Sequence, residues 1–240
     1  MTARHPERRT ARLRLRQWSE ADLDALAEMD ADPDVMRYIG DGSTGTRERT
    51  AAALGRVHAA WDEHGYGLFA AEETATGELV GWVGLAVPAF LPEVMPAVEI
   101  GWRLRRRSWG RGYATEAARE VLAFAFGEAE PDARLERVVS ICHVDNHASL
   151  RVMTKLGMTY DRTTRVPAHG QPVRVMALTR EAYHSSPSRR RRRDLPLHPS
   201  RPQRCAARPA LAGLLLAIDE ARPSVGSRTT SPGRPRTDRG

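Results

Sequence analysis

Residues 99–117 constrain this chain more than any other stretch. Glu99-Ile-Gly-Trp-Arg-Leu104 reads as a strand, residues 105–112 as a basic turn, and Tyr113-Ala-Thr-Glu-Ala117 as the opening of a helix. A helix that opens straight after a strand leaves its first backbone N–H groups without partners, and its dipole favours negative charge at that end. Gly110 and Gly112 let the chain turn with positive φ and let an anion come close to the backbone. Arg106, Arg107 and Arg111 surround the spot with positive charge. The pattern predicts a cradle for a pyrophosphate. Two familiar cradles fit it poorly. A Walker loop needs Gly-Lys-Ser/Thr, and neither Lys nor Ser/Thr stands at that place. A dinucleotide turn needs three glycines at the first strand–helix junction of its unit, whereas here two glycines come late, behind an antiparallel meander.

The rest of the chain supplies alternating layers. Leu13 and Leu15 alternate with Arg12, Arg14 and Arg16, the period of a half-buried strand. Ser19, with Asp22 three residues on, opens a helix carrying Leu23, Leu26 and Met29, and Asp32-Pro33-Asp34 breaks it. Thr46 caps a second helix that runs to about residue 63, with Gly65 beyond its end. Residues 66–73 and 79–87 read as a hairpin, Pro88, Pro92 and Pro96 mark a loop, and 97–104 is the next strand. The helix over 113–126 is followed by a buried strand over 137–144 and a short helix over 147–156, stopped by Gly157. A last hairpin spans 158–165 and 173–178. This order predicts an α/β fold with about seven strands.

Composition divides the chain in two. Residues 185–240 carry 13 Lys+Arg against 4 Asp+Glu and half of the 16 prolines, so the formal net charge of +7 belongs to this tail. Five consecutive arginines, 189–193, lead into Pro-, Arg- and Ser-rich sequence too poor in apolar residues to offset its ordering entropy, and the tail is read as disordered. Such a tail could neutralise nucleic-acid phosphates, but no aromatic set interleaves with it. A terminus without a task, or translation of an unintended frame of G- and C-rich coding sequence, is the favoured reading, since Lys155 is the one lysine in the chain. The first 184 residues are nearly balanced in charge and large enough for one core. Cys142 and Cys205 are too few for a disulfide framework, and no His or Cys stands at a zinc spacing, so no metal is expected. No apolar run reaches the roughly 18 residues of a membrane helix, and residues 1–16 lack the apolar core of a secretory leader. The expectation is a cytoplasmic protein with no membrane partner.

The residues around the turn resemble the GNAT (Gcn5-related) N-acetyltransferase family. Leu104 stands as the strand residue of its coenzyme A motif, Trp109 occupies the usual Gln/Arg position, and Gly112-Tyr113-Ala114 closes it. Trp-Gly-x-Gly-Tyr-Ala-Thr-Glu-Ala is similar to the RimJ/RimL type that acetylates the N-termini of ribosomal proteins. Asn146-x-x-Ser149 followed by Lys155-Leu-Gly157-Met158 is similar to a second signature of that type. The resemblance covers about residues 10–183. It implies a GNAT acyl-CoA N-acyltransferase fold over residues 10–184: a mixed, mostly antiparallel sheet, helices on both faces, and a splay between the fourth and fifth strands. Acetyl-CoA would be the acyl donor and a primary amine the acceptor, with a homodimer left open. Backbone groups of Trp102, Arg103 and Leu104 would hold the pantetheine arm in the splay. Gly110, Arg111, Gly112, Tyr113 and Ala114 would hold the pyrophosphate, with Arg107 adding charge and Asn146 touching the arm.

Acid and base follow from the same resemblance. Direct attack of an amine on a thioester requires the amine to lose a proton and the thiolate to gain one. Glu99 is the implied base. Many relatives use a tyrosine on the last long helix as the acid, but that position is Met153 here, so Ser149 one turn earlier becomes the donor and Tyr160 the fallback. A free α-amine has a pKa of roughly 8 against about 10.4 for lysine, so a modest base suits N-terminal amines or amino sugars better than lysine. Residues 30–45 and the turn near His169 would line the acceptor side, where Asp30, Asp32 and Asp34 would attract a cation. Plainer roles stand beside each of these: a solvated arginine loop, a structurally paired Glu99, an ordinary helical Ser149, an Asn146 that only caps, and Trp18, Trp61 and Trp82 as core or rim. Met153 keeps open a non-catalytic acyl-CoA-binding module, and the tail an RNA-associated interaction protein.

Overall fold

The computed structural model describes residues 6–127 and 133–186. The sequence expectation for a disordered tail therefore lies almost wholly outside the described residues. Strand β1 (Arg8–Arg9) pairs with β2 (Leu13–Arg16), where Leu13 and Leu15 are buried and the arginines between them are not. Arg8–Arg9 escaped the sequence reading because a two-residue edge strand carries no alternation to detect. It raises the expected seven strands to eight and moves the start of the fold ahead of residue 10.

The caps sit where the sequence places them. The Asp22 carboxylate accepts from the Ser19 N–H at 2.8 Å and its hydroxyl at 3.0 Å, just before α1 (Leu23–Asp30). Asp32-Pro33 ends one helix and starts another. The Asp32 side chain caps the Asp34 N–H at 2.9 Å, and Pro33 occupies the first turn of α2 (Pro33–Met36). A proline lacks only an N–H that a first turn cannot use, so a breaker can also be a start. Thr46 caps α3 (Arg47–His64), which stops at Gly65 in the left-handed conformation, φ 71°.

An antiparallel run follows through β3 (Leu68–Glu73), β4 (Leu79–Ala86) and β5 (Glu99–Leu104). Then come α4 (Tyr113–Ala125), β6 (Arg137–His143), α5 (His147–Lys155), β7 (Thr159–Arg165), β8 (Pro172–Thr179) and α6 (Arg180–Ser185). The sheet order is β1-β2-β3-β4-β5-β6-β8-β7. Strands β5 and β6 are parallel, joined through α4 as a parallel pair must be. They share a single register pair, Glu99 with Val139, against six pairs between β4 and β5. Beyond Glu99 the two strands part. This is the splay that the sequence reading expects between its fourth and fifth strands.

Helices cover both faces. Trp82 and Arg103 are paired across β4 and β5, and their face meets α1 through Arg103 and Asp30. Phe69 and Val83 lie on the opposite face, where Phe69 meets Phe124 of α4, ring edge to ring face. The apolar stripe of α4, Ala117, Ala118, Val121, Leu122 and Ala125, is wholly buried there. Burying each of its large side chains contributes roughly 1.5–3 kcal/mol. A smaller cluster of Leu91, Val94, Val139, Val166, Val173 and Val175 closes the β6–β8 side. Among the described residues no helix is long and apolar enough to cross a membrane.

Candidate active site

The turn before α4 has the geometry its glycines demand. Gly110 and Gly112 have φ of 72° and 83°, a region that side chains disfavour by roughly 1–2 kcal/mol. Gly112 is the N-cap and provides no side-chain acceptor, so the first N–H groups of α4 have no partner among the described residues. They open on a groove of about 1470 Å³, counting its mouth. One wall is Trp102–Leu104, Ser108–Gly110 and Gly112–Thr115, and α5 forms the other wall. Trp109 is 47% exposed, lines the groove, and donates its ring N–H to the Leu104 carbonyl at 2.8 Å, closing the turn on itself.

The arginines depart from expectation. Each guanidinium of the turn has a carboxylate of its own: Arg103 with Asp30, Arg105 with Glu28, Arg106 with Asp34, Arg107 with Glu78 and Arg111 with Glu73. Arg107 and Arg111 do not line the groove. Arg103 does, with its side chain buried and its Nη1 held by Asp30. Tyr113 gives its backbone only, because its ring is buried and its hydroxyl is bonded to the Glu73 carboxylate. Among the described residues, the other cations that line the groove are Arg37, Arg151 and Lys155. Arg151 and Lys155 lie four residues apart on α5, a helical spacing readable from sequence once α5 is taken as a wall.

A second cavity, of about 760 Å³, opens on the other side of the splay. Glu99 lines it, 4% exposed. Its Oε1 accepts the Ile141 N–H at 3.3 Å, and its Oε2 has no hydrogen-bond partner among the described residues. Burial pushes its pKa up to about 8, although the Ile141 hydrogen bond acts the other way. Trp102, Arg103, Asn146 and Ser149 line both cavities, so the two meet at these residues.

Asn146 caps α5, accepting the Ser149 N–H at 3.0 Å, and still lines both cavities. The Ser149 hydroxyl makes no hydrogen bond among the described residues. Met153 is buried below it. Tyr160, the fallback acid, is 62% exposed and lines neither cavity. The tyrosine the sequence reading missed is Tyr38, which lines both and stacks on His143 at 5.3 Å. The sequence reading placed its segment on the acceptor side but singled out the aspartates. None of the three lines the Glu99 cavity: Asp30 holds Arg103 and Thr50, Asp32 caps α2, and Asp34, on the rim of the groove, pairs with Arg106. Cys142 is a buried thiol with pKa raised to about 11, no nucleophile. His169 lines the Glu99 cavity, as expected of that turn.

Known proteins carry the same architecture. The Acetyltransferase (GNAT) domain family matches residues 12–159. An uncharacterised Bacillus subtilis protein, YkkB, is 36% identical over 65% of this chain and 87% of its own length. The FsC-acetyl coenzyme A-N(2)-transacetylase of Aspergillus fumigatus is 32% identical over 66% of this chain and 67% of its own. A solved RimL structure, the ribosomal L7/L12 alpha-N-protein acetyltransferase in complex with coenzyme A, superposes with a TM-score of 0.58. At 18% identity, over 74% of this chain and 98% of that one, it speaks for the fold alone. With a glycine turn whose free amides fit a pyrophosphate, a splayed sheet and a family match over more than half its length, this chain belongs to the GNAT acetyltransferase family and is an acyltransferase that uses acetyl-CoA as donor.

Proposed function

We propose that the chain acetylates a primary α-amine, on a protein N-terminus or a small molecule, in the manner of the RimJ/RimL type. Glu99 is the base. The observation that carries this is its unpartnered Oε2 in a cavity that meets the groove, with a pKa of about 8. A base and an α-amine that both titrate near 8 exchange a proton almost without cost, whereas lysine, at about 10.4, lies roughly 3 kcal/mol uphill.

Acetyl-CoA supplies an acyl group on a thioester. The amides of Gly110–Ala114 hold its pyrophosphate, and the backbone of Trp102–Leu104, with Asn146, orients its arm. As the amine nitrogen bonds the acyl carbon and the C–S bond breaks, Glu99 takes the amine proton. Ser149 hydrogen-bonds the leaving sulfur, and Tyr38, which lines both cavities, is the second hydroxyl placed to give it a proton. Residues 8–186 form the catalytic unit on this reading, and residues 187–240 are dispensable to it.

The test is release of coenzyme A by the full chain, with peptides bearing a free α-amine and with matched peptides whose only amine is a lysine side chain. Preferential turnover of the α-amine, rising with pH through about 8, is expected. Equal or better use of the lysine peptide contradicts the α-amine assignment.

A further inference from the structure

Four buried side-chain polar atoms without a hydrogen-bond partner belong to residues lining the Glu99 cavity: Trp82 Nε1, Arg103 Nε, Glu99 Oε2 and His169 Nε2. Buried polar groups are almost always paired, so such a cluster marks a place where a ligand completes the bonding. Glu99 is used by the reaction. His169 is only half-buried; the remaining two atoms, on Trp82 and Arg103, are not used by the reaction and can only donate.

Trp82 is 2% exposed and Arg103 4%. The tryptophan N–H groups of Trp18 and Trp61 both donate to the Leu68 carbonyl, at 3.1 and 3.2 Å, and Trp109 to that of Leu104. Trp82 has no such partner, so its N–H is not spent on the fold. Arg103 donates from Nη1 to Asp30 at 2.8 Å, which cancels its charge and fixes the guanidinium while leaving Nε free. The two residues face each other across β4 and β5. Next along the same face come Gly84 and Gly101, with no side chains, and then Ala86 and Glu99. The strip therefore presents two donors at one end and a carboxyl at the other, with Gly101 in the cavity wall between them and Gly84 packed against the backbone of Gly67 and Leu68.

We propose that Trp82 and Arg103 form a subsite for a carbonyl-type oxygen of the acceptor, and that the acceptor is an α-aminoacyl compound rather than a plain alkylamine or polyamine. This rests on the reading of the Glu99 cavity as the acceptor site. The amine reaches Glu99 while the oxygen accepts from Trp82 and Arg103. An amine that lacks the oxygen leaves both donors buried and unpaired, which is how a polar site rejects an analogue.

The experiment compares kcat/KM of the full chain for L-alaninamide, L-alanine and 2-aminobutane, each expressed per unprotonated amine. At least one of the two oxygen-bearing amines is expected to exceed 2-aminobutane by roughly 100-fold or more. Their relative rates say whether an amide or a carboxylate supplies the oxygen. Trp82→Phe, which keeps a ring but removes the N–H, is expected to shrink that ratio about tenfold. Comparable kcat/KM for all three amines overturns the subsite and leaves the Glu99 assignment standing. Absence of turnover with every amine, in a protein that binds acetyl-CoA by calorimetry, overturns both together.

Discussion

The turn before α4 and the Glu99 cavity solve opposite bonding problems. At the turn the charged side chains are all partnered by acids and the main chain is free, because Gly112 caps α4 without a side chain. In the cavity the free side-chain atoms are on Trp82, Glu99, Arg103 and His169. The first arrangement suits a part of the ligand that never changes. The second allows the acceptor to differ while the donor stays the same, since a side chain can be replaced without moving a strand. On the function proposed above, specificity for the donor is built into conformation, and specificity for the acceptor into residue identity.

Removing single groups separates the two. The largest effect is expected on the Asp30–Arg103 pair, buried on both sides. Asp30→Ala leaves an uncompensated guanidinium and is expected to cost about 3–5 kcal/mol by urea unfolding. A loss below 1 kcal/mol would show that solvent reaches the pair. Glu99 gives the next effect. Below its ordinary value of 4.5 the carboxyl is protonated whether the chain is folded or not. Between there and about 8 the unfolded chain gives up a proton that the fold retains, so stability falls as pH rises and levels off above 8. Glu99→Gln should remove this slope, worth about a few kcal/mol across the window, and parallel slopes for the two proteins would contradict the buried assignment. Gly112→Ala strains a residue at φ 83° and should weaken acetyl-CoA binding roughly tenfold, read by calorimetry. The smallest effects distinguish arginines. Arg107→Ala removes an exposed ion pair and should leave acetyl-CoA affinity within about twofold. Arg151→Ala, on the groove, should weaken it by more.

How much was readable from sequence follows the same division. Glycine at a strand–helix junction announces positive φ, so the conformation of the turn was legible in residues 104–114. Ser19, Thr46 and Asn146 announce caps, and each is found capping or within a capping pair. The arginines misled because their partners come from elsewhere in the chain: Asp30 lies 73 residues from Arg103 and Glu73 lies 38 from Arg111. Local sequence carries no record of such pairs. Trp82 and Tyr38 were missed for a related reason. An indole looks like core in any strand, and only the inventory of carbonyls around it reveals that one N–H has no acceptor.

The account turns on Glu99 as base, and kcat/KM against pH for wild type and Glu99→Gln, with acetyl-CoA affinity measured alongside, tests it most directly. The predicted result is a rate lower by roughly 100- to 10,000-fold in the variant, loss of the rise through pH 8, and unchanged acetyl-CoA binding. A variant that keeps both its rate and that rise would contradict it.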